Sequence, residues 1–556
     1  MAFDGIVTKA VCAELNSTLK NSKVNKIMQP TKNEIVFETY GKEEKYFLQL
    51  STVAVNCRIC LTDNLKENPQ NPYNFCMVLR KHLNRSKILD ISTYDLERTV
   101  EIEFETFDEE NGKTKKRLYI EIMNRQSNII LTHENNIIID VLKRYEEKGL
   151  VPNKKFIFKP ILKTSFLELE NFSDFCELIH NNEEEKLTQK LPEIFIGFSK
   201  VFISNSIKIL NIDDEKYSEN DLEKLYEYIK EILIKIDTNE VSLIKIENDF
   251  TIILRNKEYP LQINKFIDEY YYKKEQKDAI LQSKNNLLKI ISSNLKKVYK
   301  KLENINQKLK ECDNMEQYKL YGELLTANLY RIDGSKNISE VEVYNYYNNE
   351  NIIIKLDSSI TVRKNIENFF KKYNKLKNAL NVVSEQKKEA EKEIDYIESI
   401  IFSLENSKNL SDVYEIYEEV YNNLNIRKNE KTKKNKNSKR EKHIEIKPVN
   451  ILGFKVYIGK NNMQNEFLSL KFAKKDDLWF HTQKIHGSHI ILRVINDEDI
   501  PENVIYECAK LAKENSKARN STNVPVDYCR AKFVKRIPNG ELGIVNYSNF
   551  NTIIVK

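Results

Sequence analysis

The sequence predicts a multidomain α+β protein, and three observations carry that reading. Its 556 residues exceed what a single hydrophobic core usually organises. The apolar pattern changes along the chain, from alternation in twos near the start to sustained spacings of three and four beyond Leu288. Gly and Pro are scarce, at 12 and 11, which argues against a loop-rich chain, while 31% charged residues set among Leu and Ile favour extended helix.

Short alternating runs fill the first domain, expected over residues 1–160. Val100, Ile102 and Phe104 point one way and Glu101 and Glu103 the other, and Leu118, Ile120 and Ile122 repeat the pattern past a loop holding Asn111 and Gly112. That is an antiparallel hairpin. Further strands are expected at Glu34 to Tyr40, Lys45 to Ser51, Asn128 to Thr132 and Asn136 to Val141, with helices at Ile6 to Lys20 and Tyr73 to Leu83. Cys57 and Cys60 form a CxxC without a second close pair, and Val53 to Leu61 reads as a strand, so they are expected to be half-buried thiols and not metal or redox ligands. Eight cysteines scattered over the chain fit reduced thiols.

Residues 161–272 turn mostly helical and irregular, with Leu191 to Ser199 as a turn between helices. Over 273–425 a heptad emerges: Leu288, Ile291, Leu295, Val298, Leu302, Ile305 and Leu309, and later Ile366, Phe369, Tyr373, Leu376, Leu380, Val383, then Ile394, Ile397, Ile401 and Leu404. Two seams in one chain can pair back as an antiparallel coiled-coil hairpin without the concentration dependence of a dimer. A monomer is therefore expected, with a protruding arm and a small middle module at 312–362. Residues 426–446 read as a flexible basic linker, Arg427 to Lys442 carrying nine basic residues against Glu430 and Glu441. A compact α/β unit follows over 447–556.

The net charge of +6 hides a polarity: Arg427 to Lys556 holds 26 Lys and Arg against 14 Asp and Glu, a net of +12, which leaves −6 on the rest. An anionic partner is expected at the basic end. The first nine residues show no basic region followed by an apolar run, and no apolar stretch nears the roughly 18 residues that span a bilayer. The expected address is the cytoplasm, with no membrane partner.

The most distinctive block is Asp476-Asp477-Leu478-Trp479-Phe480-His481, followed by His486-Gly487-Ser488-His489-Ile490-Ile491-Leu492-Arg493. It holds the only Trp and three of the seven His. Acid, aromatic, imidazole and glycine together suit a polar gripping surface better than a core. The three His lack a defined ligand spacing, so they are expected to be hydrogen-bonding surface groups and no metal is expected. The chain has no nucleophile elbow, Walker loop, HExxH or Rossmann fingerprint, so catalysis has no visible carrier and no cofactor is implied.

These residues resemble the NFACT family, whose members are also labelled fibronectin-binding protein A. The likeness runs nearly end to end, through Phe3 to Thr8, Asn74 to Leu83, Met123 to Leu131, Tyr321 to Asn328, Phe370 to Lys377, the Trp479 block and Ser516 to Asn520. The resemblance implies an N-terminal α+β domain, a helix-hairpin-helix region, a coiled-coil arm with a middle module, and a C-terminal RNA-binding domain. It also implies a ribosome-associated quality control factor. Such a factor binds large ribosomal subunits obstructed by peptidyl-tRNA and recruits alanyl-tRNA for template-free C-terminal alanine tailing. Peptide bond formation stays with the ribosome, so the protein is expected not to be an enzyme.

The family's Asp-Arg pair tied to tRNA recruitment matches Glu97 and Arg98, the acid being one methylene longer here. An Arg fork suits phosphate or base edges, and an adjacent acid orients it. Asp4, Glu121 and Arg125 are expected as neighbours. In the C-terminal domain Trp479 and Phe480 supply core packing or stacking. His481, Ser488, His489 and Arg493, with Lys517 and Arg519, are expected to meet ribosomal RNA. His486 stands where the family commonly has Pro, and only Gly197 remains of a glycine-rich hairpin turn. Two other classes compete: a surface adhesin binding fibronectin, and a glycosylase-like nucleic-acid protein, for which Ala2 and Phe3 offer no N-terminal Pro nucleophile.

Overall fold

The computed structural model describes residues 3–41, 44–108, 112–158, 162–182, 184–255, 262–424, 446–494, 500–538 and 540–556. The mixed α+β architecture falls into two compact units, Met1–Lys277 and Asp278–Lys556. The basic linker expected at 426–446 lies, apart from Ile446, outside the described residues.

The first unit opens with α1 (Gly5–Leu19), then β1 (Lys23–Thr31), β2 (Glu34–Tyr40), β3 (Lys45–Ser51), β4 (Arg58–Leu61), α2 (Asn74–Leu83), β5 (Lys87–Thr93), β6 (Thr99–Asp108), β7 (Gly112–Glu121), β8 (Asn128–His133) and β9 (Ile138–Val141). The strands form one sheet in the order β4-β3-β2-β1-β5-β6-β7-β8-β9. The expected hairpin is β6 and β7, with Val100 opposite Ile120 and Ile102 opposite Leu118. These side chains enter the core, while Glu101 and Glu103 face Arg117 and Lys115 on the outer face. β1 and β5 escape the sequence pattern because each carries a register shift, at Val24/Lys26 and at Ile88/Asp90, that breaks alternation. The strand expected from Val53 begins only at Arg58, since the amide of Asn56 turns back onto the carbonyl of Val53 at 2.9 Å. Cys57 therefore precedes the strand and Cys60 lies in it; both are fully buried and not half-buried, and burial pushes the Cys60 thiol up to about 12.

Next come α3 (Phe172–His180), α4 (Leu187–Ile194), α5 (Lys200–Leu210), α6 (Glu219–Asp237), the hairpin β10 (Val241–Ile246) and β11 (Asp249–Leu254), and α7 (Ile263–Asp313), whose residues to Lys277 belong to this unit. The β10–β11 hairpin was not expected in a stretch read as helical. The boundary expected near residue 160 does not separate two cores. One hydrophobic cluster runs from Phe3 and Ile6 through Val100 and Leu118 to Phe195, Ile229 and Tyr271.

In the second unit α7 continues from Asp278, followed by α8 (Met315–Ala327), β12 (Glu340–Asn345), β13 (Glu350–Lys355), α9 (Val362–Asn406) and α10 (Leu410–Asn423). The heptad seams pack against each other: Ile291, Val298 and Ile305 share a core with Val383, Ala390, Ile394 and Ile397. Their direction is antiparallel, since Lys301 meets Glu393 at 3.6 Å while Tyr299 meets Glu398 and Lys284 the carbonyl of Glu405. α8, β12 and β13 enclose the small core of the middle module. The last domain comprises β14 (Val449–Ile451), β15 (Phe454–Ile458), α11 (Asn462–Phe467), β16 (Leu478–Thr482), β17 (Ile490–Leu492), α12 (Glu502–Glu514), β18 (Val524–Arg530), β19 (Val534–Arg536), β20 (Val545–Tyr547) and β21 (Asn551–Val555). Its main sheet runs β14-β15-β17-β16-β18-β21.

Candidate nucleic-acid interface

Three segments of the first unit converge on a cavity of about 200 Å³: the start of α1, the turn between β5 and β6, and the turn between α4 and α5. Asp4 caps α1 by accepting from the amide of Val7 at 2.9 Å, and Ser199 caps α5 by accepting from the amide of Phe202 at 3.1 Å. The two caps are joined, the Ser199 hydroxyl donating to Asp4 Oδ2 at 2.6 Å. Two helix N-termini thus point their positive ends at one place. The β5–β6 turn is tight, the Glu97 amide donating to the Tyr94 carbonyl at 3.1 Å and Asp95 taking φ of 53°. It buries Leu96 and sets Glu97 and Arg98 on the cavity wall.

Asp4, Glu97 and Arg98 are therefore brought together, with Lys163 on the same wall. Burial raises the Asp4 carboxyl to about 6, against the lowering pull of Ser199, the Val7 amide and the charge of Arg98. A cationic fork beside two acids and two helix N-termini is suited to holding and orienting a phosphate or base edge. Glu121 and Arg125 do not line this cavity. Glu121 ends β7 opposite Thr99, where burial raises its carboxyl, and Arg125 sits exposed in the short helical turn Asn124–Gln126. Lys163 and Ser199 escape sequence reasoning, although the serine two residues after Gly197, opening a helix, carries a cap signal.

The polar face expected around Trp479 is not formed as expected. Both faces of the C-terminal sheet are covered, so strand alternation sends Leu478 and Phe480 under α12 and Trp479 into a second core with Leu468, Ile491 and Cys529. Trp479 is completely buried, and Ser488 and His489 are buried as well. Ser469 Oγ accepts from Trp479 Nε1 at 3.0 Å and lies 2.7 Å from His489 Nδ1. Burial lowers His481 to about 4, and His489 also falls, so both rings are neutral near pH 7. Arg493 Nη1 lies 3.3 Å from the buried Asp477 carboxylate, and the guanidinium stacks 4.5 Å over the Phe472 ring. Trp479, Ser488 and His489 are buried in the domain and Arg493 is held against Asp477 and Phe472, while Trp479, His481 and His489 line a cavity of about 360 Å³ together with Asp395 and Tyr396 of α9. Lys517 and Arg519 are exposed but turned to α9, at 3.0 Å from Glu398 and 3.3 Å from Asn406.

The same α9–α10 surface takes an amide cluster that sequence reasoning did not single out. Asn461 and Gln464 donate to Glu415 at 2.7 and 2.8 Å, and Asn462 to Glu419 at 2.9 Å. Burial raises Glu419 to about 7.

Residues 4–439 match the NFACT N-terminal and middle domains, and residues 447–546 the NFACT protein RNA binding domain. The chain belongs to the NFACT family and ends in that family's RNA-binding domain. Over its full length it is similar to proteins named "Rqc2 homolog RqcH". It is 31% identical over 566 residues to the one from Bacillus subtilis (strain 168), covering 100% of this chain and 98% of that protein. The identity is 30% over 561 residues to the one from Streptococcus suis (strain 05ZYH33), with the same coverage. Among solved structures, the C-terminal part of the fibronectin/fibrinogen-binding protein from Streptococcus suis aligns with a TM-score of 0.38 at 29% identity, covering 50% of this chain and 94% of that one.

Proposed function

We propose that this protein is a ribosome quality control factor of the RqcH type. It binds large ribosomal subunits obstructed by peptidyl-tRNA and recruits alanyl-tRNA, so that the ribosome adds alanines without a template to the stalled chain. The observation that carries this reading is the Arg98 cavity, where a guanidinium stands with Asp4 and Glu97 at two converging helix N-termini. Full-length similarity to RqcH proteins and the C-terminal RNA-binding domain support it. In this reading the protein acts in the cytoplasm as a monomer, and it is not itself an enzyme. Among the described residues no helix is long and apolar enough to cross a membrane.

The test is to capture the protein from cell lysate and sequence the RNA bound to it. Enrichment of alanine tRNA together with large-subunit RNA is expected, and co-sedimentation with large subunits should weaken as salt rises, because phosphate contacts release counterions. Lysate capture that enriches neither RNA, alongside binding to fibronectin, would replace this reading with the adhesin.

A further inference from the structure

On the outer face of the first sheet, away from the core that α1 covers, lies a separate cleft of about 450 Å³. Its floor is Thr99 and Glu101 on β6 with Arg117 and Tyr119 on β7, and its rim carries Tyr94 and Phe158. Three observations set it apart from an ordinary solvated sheet face. First, the Thr99 hydroxyl is buried in the cleft floor with no hydrogen-bond partner among the described residues, a costly arrangement for an idle group. Second, Tyr94 is 69% exposed yet holds its ring 5.1 Å from that of Phe158, an open aromatic wall. Third, Glu101 and Arg117 stand 3.0 Å apart and present an acceptor and a donor side by side, while Asn136 fixes both Arg117 and the Tyr119 hydroxyl.

We infer that this cleft is a second ligand site that takes an unpaired nucleobase, stacked on Tyr94 and Phe158 with its hydrogen-bonding edge toward Thr99, Glu101 and Arg117. Aromatic rings receive any base face, and an adjacent carboxylate and guanidinium match an edge that carries both N–H and C=O groups. The Thr99 hydroxyl gains the partner it lacks. The base belongs either to single-stranded RNA or to a free nucleotide. The site is distinct from the Arg98 cavity and uses none of its residues.

The experiment is ultraviolet cross-linking of the full-length protein to short single-stranded RNA, with peptide mapping to separate this cleft from the RNA-binding domain at 447–546. Cross-links at Tyr94 or Phe158 are expected. The half-saturation point at Phe158 should rise roughly 5- to 160-fold in Tyr94→Ala, the range for one stacked base, and several-fold in Thr99→Val. Thr99→Val keeps the side-chain shape, so unchanged or higher thermal stability in that variant would show that the loss comes from the hydroxyl. Arg98→Ala should leave this half-saturation point unchanged even as it lowers tRNA recovery, which keeps the two sites independent. Displacement by mononucleotides alone, without RNA cross-links, assigns the cleft to free nucleotides; cross-links that mononucleotides do not displace assign it to RNA. Cross-links confined to 447–546 with no mononucleotide binding, or a half-saturation point unmoved in both cleft variants, would overturn the proposal.

Discussion

The amide of Gly5 donates to the carbonyl of Gly197 at 3.0 Å, tying the first turn of α1 to the turn between α4 and α5. A Cβ on Gly5 would fall 1.8 Å from the Leu96 carbonyl oxygen and 2.5 Å from the Gly197 Cα, both backbone atoms that have no rotamer to give way. The contact therefore sets how closely Asp4, Leu96 and Ser199 approach, and with them the Arg98 cavity. Gly5→Ala should destabilise the first unit by about 3 kcal/mol, the upper range for overpacking, and should reduce alanine tRNA recovery at temperatures where the variant is still folded. Urea unfolding measures the first effect; wild-type midpoints would show that the close approach is not fixed.

Asp4 links stability to pH. Its carboxyl ionises near 4 in the unfolded chain but, raised by burial, near 6 in the folded one. Folding is therefore unpenalised below about pH 4, loses stability as pH rises to about 6, and above that carries a constant cost of about 3 kcal/mol. Asp4→Asn keeps an oxygen acceptor for the Val7 amide and does not titrate. The variant should equal or trail the wild type at pH 4 and gain on it by up to that amount at pH 7. Parallel stability curves for the two proteins between pH 4 and 7 would rule this out.

The two candidate sites differ in how far the sequence revealed them. At the first, Glu97 and Arg98 were legible through the family likeness, but Lys163 and Ser199 were not, since only the fold brings residues so far apart in the chain onto one wall. In the C-terminal domain the Trp479 block was legible as distinctive, but the burial of Trp479, Ser488 and His489 was not. Its polar composition suggested a surface, whereas Ser469, outside the block, supplies the partner that lets Trp479 and His489 be buried. The coiled-coil seams were readable because a heptad that runs for many turns is a long signal, even where it weakens at Lys387 and Ala390. β1 and β5 were not, because register shifts, two in β1 and one in β5, erase the alternation of a short strand.

Arg98 is expected to act as a planar fork, so charge alone should not replace it. Arg98→Ala should lower recovery of alanine tRNA by roughly 10- to 100-fold, the worth of a charge-assisted bidentate contact, and Arg98→Lys should restore only part of it. Glu97→Asp should be tolerated, since it shortens the acid by one methylene without removing its charge. The readout is alanine tail length on a stalled reporter by mass spectrometry, beside tRNA recovery. Full tails in Arg98→Ala would remove that residue from tRNA recruitment.

Ser469 separates a structural from an RNA-contacting role for the Trp479 block. Its hydroxyl meets both Trp479 Nε1 and His489 Nδ1, and all three side chains are buried. Ser469→Ala leaves the buried Trp479 Nε1 unpaired, whereas His489 Nδ1 keeps the Asn465 carbonyl at 3.3 Å, and it should cost about 1–3 kcal/mol, while RNA affinity of the still-folded protein changes less than about two-fold because all three side chains are buried. Trp479, the chain's only tryptophan, reports the unfolding directly through its fluorescence, which should stay unquenched when RNA binds. By contrast, Lys517 is exposed beside Glu398, so Lys517→Ala should leave stability nearly unchanged while reducing the salt dependence of RNA binding by about one phosphate contact. If Ser469→Ala instead lost RNA affinity at unchanged stability, or RNA quenched Trp479, the block would have to open to meet RNA.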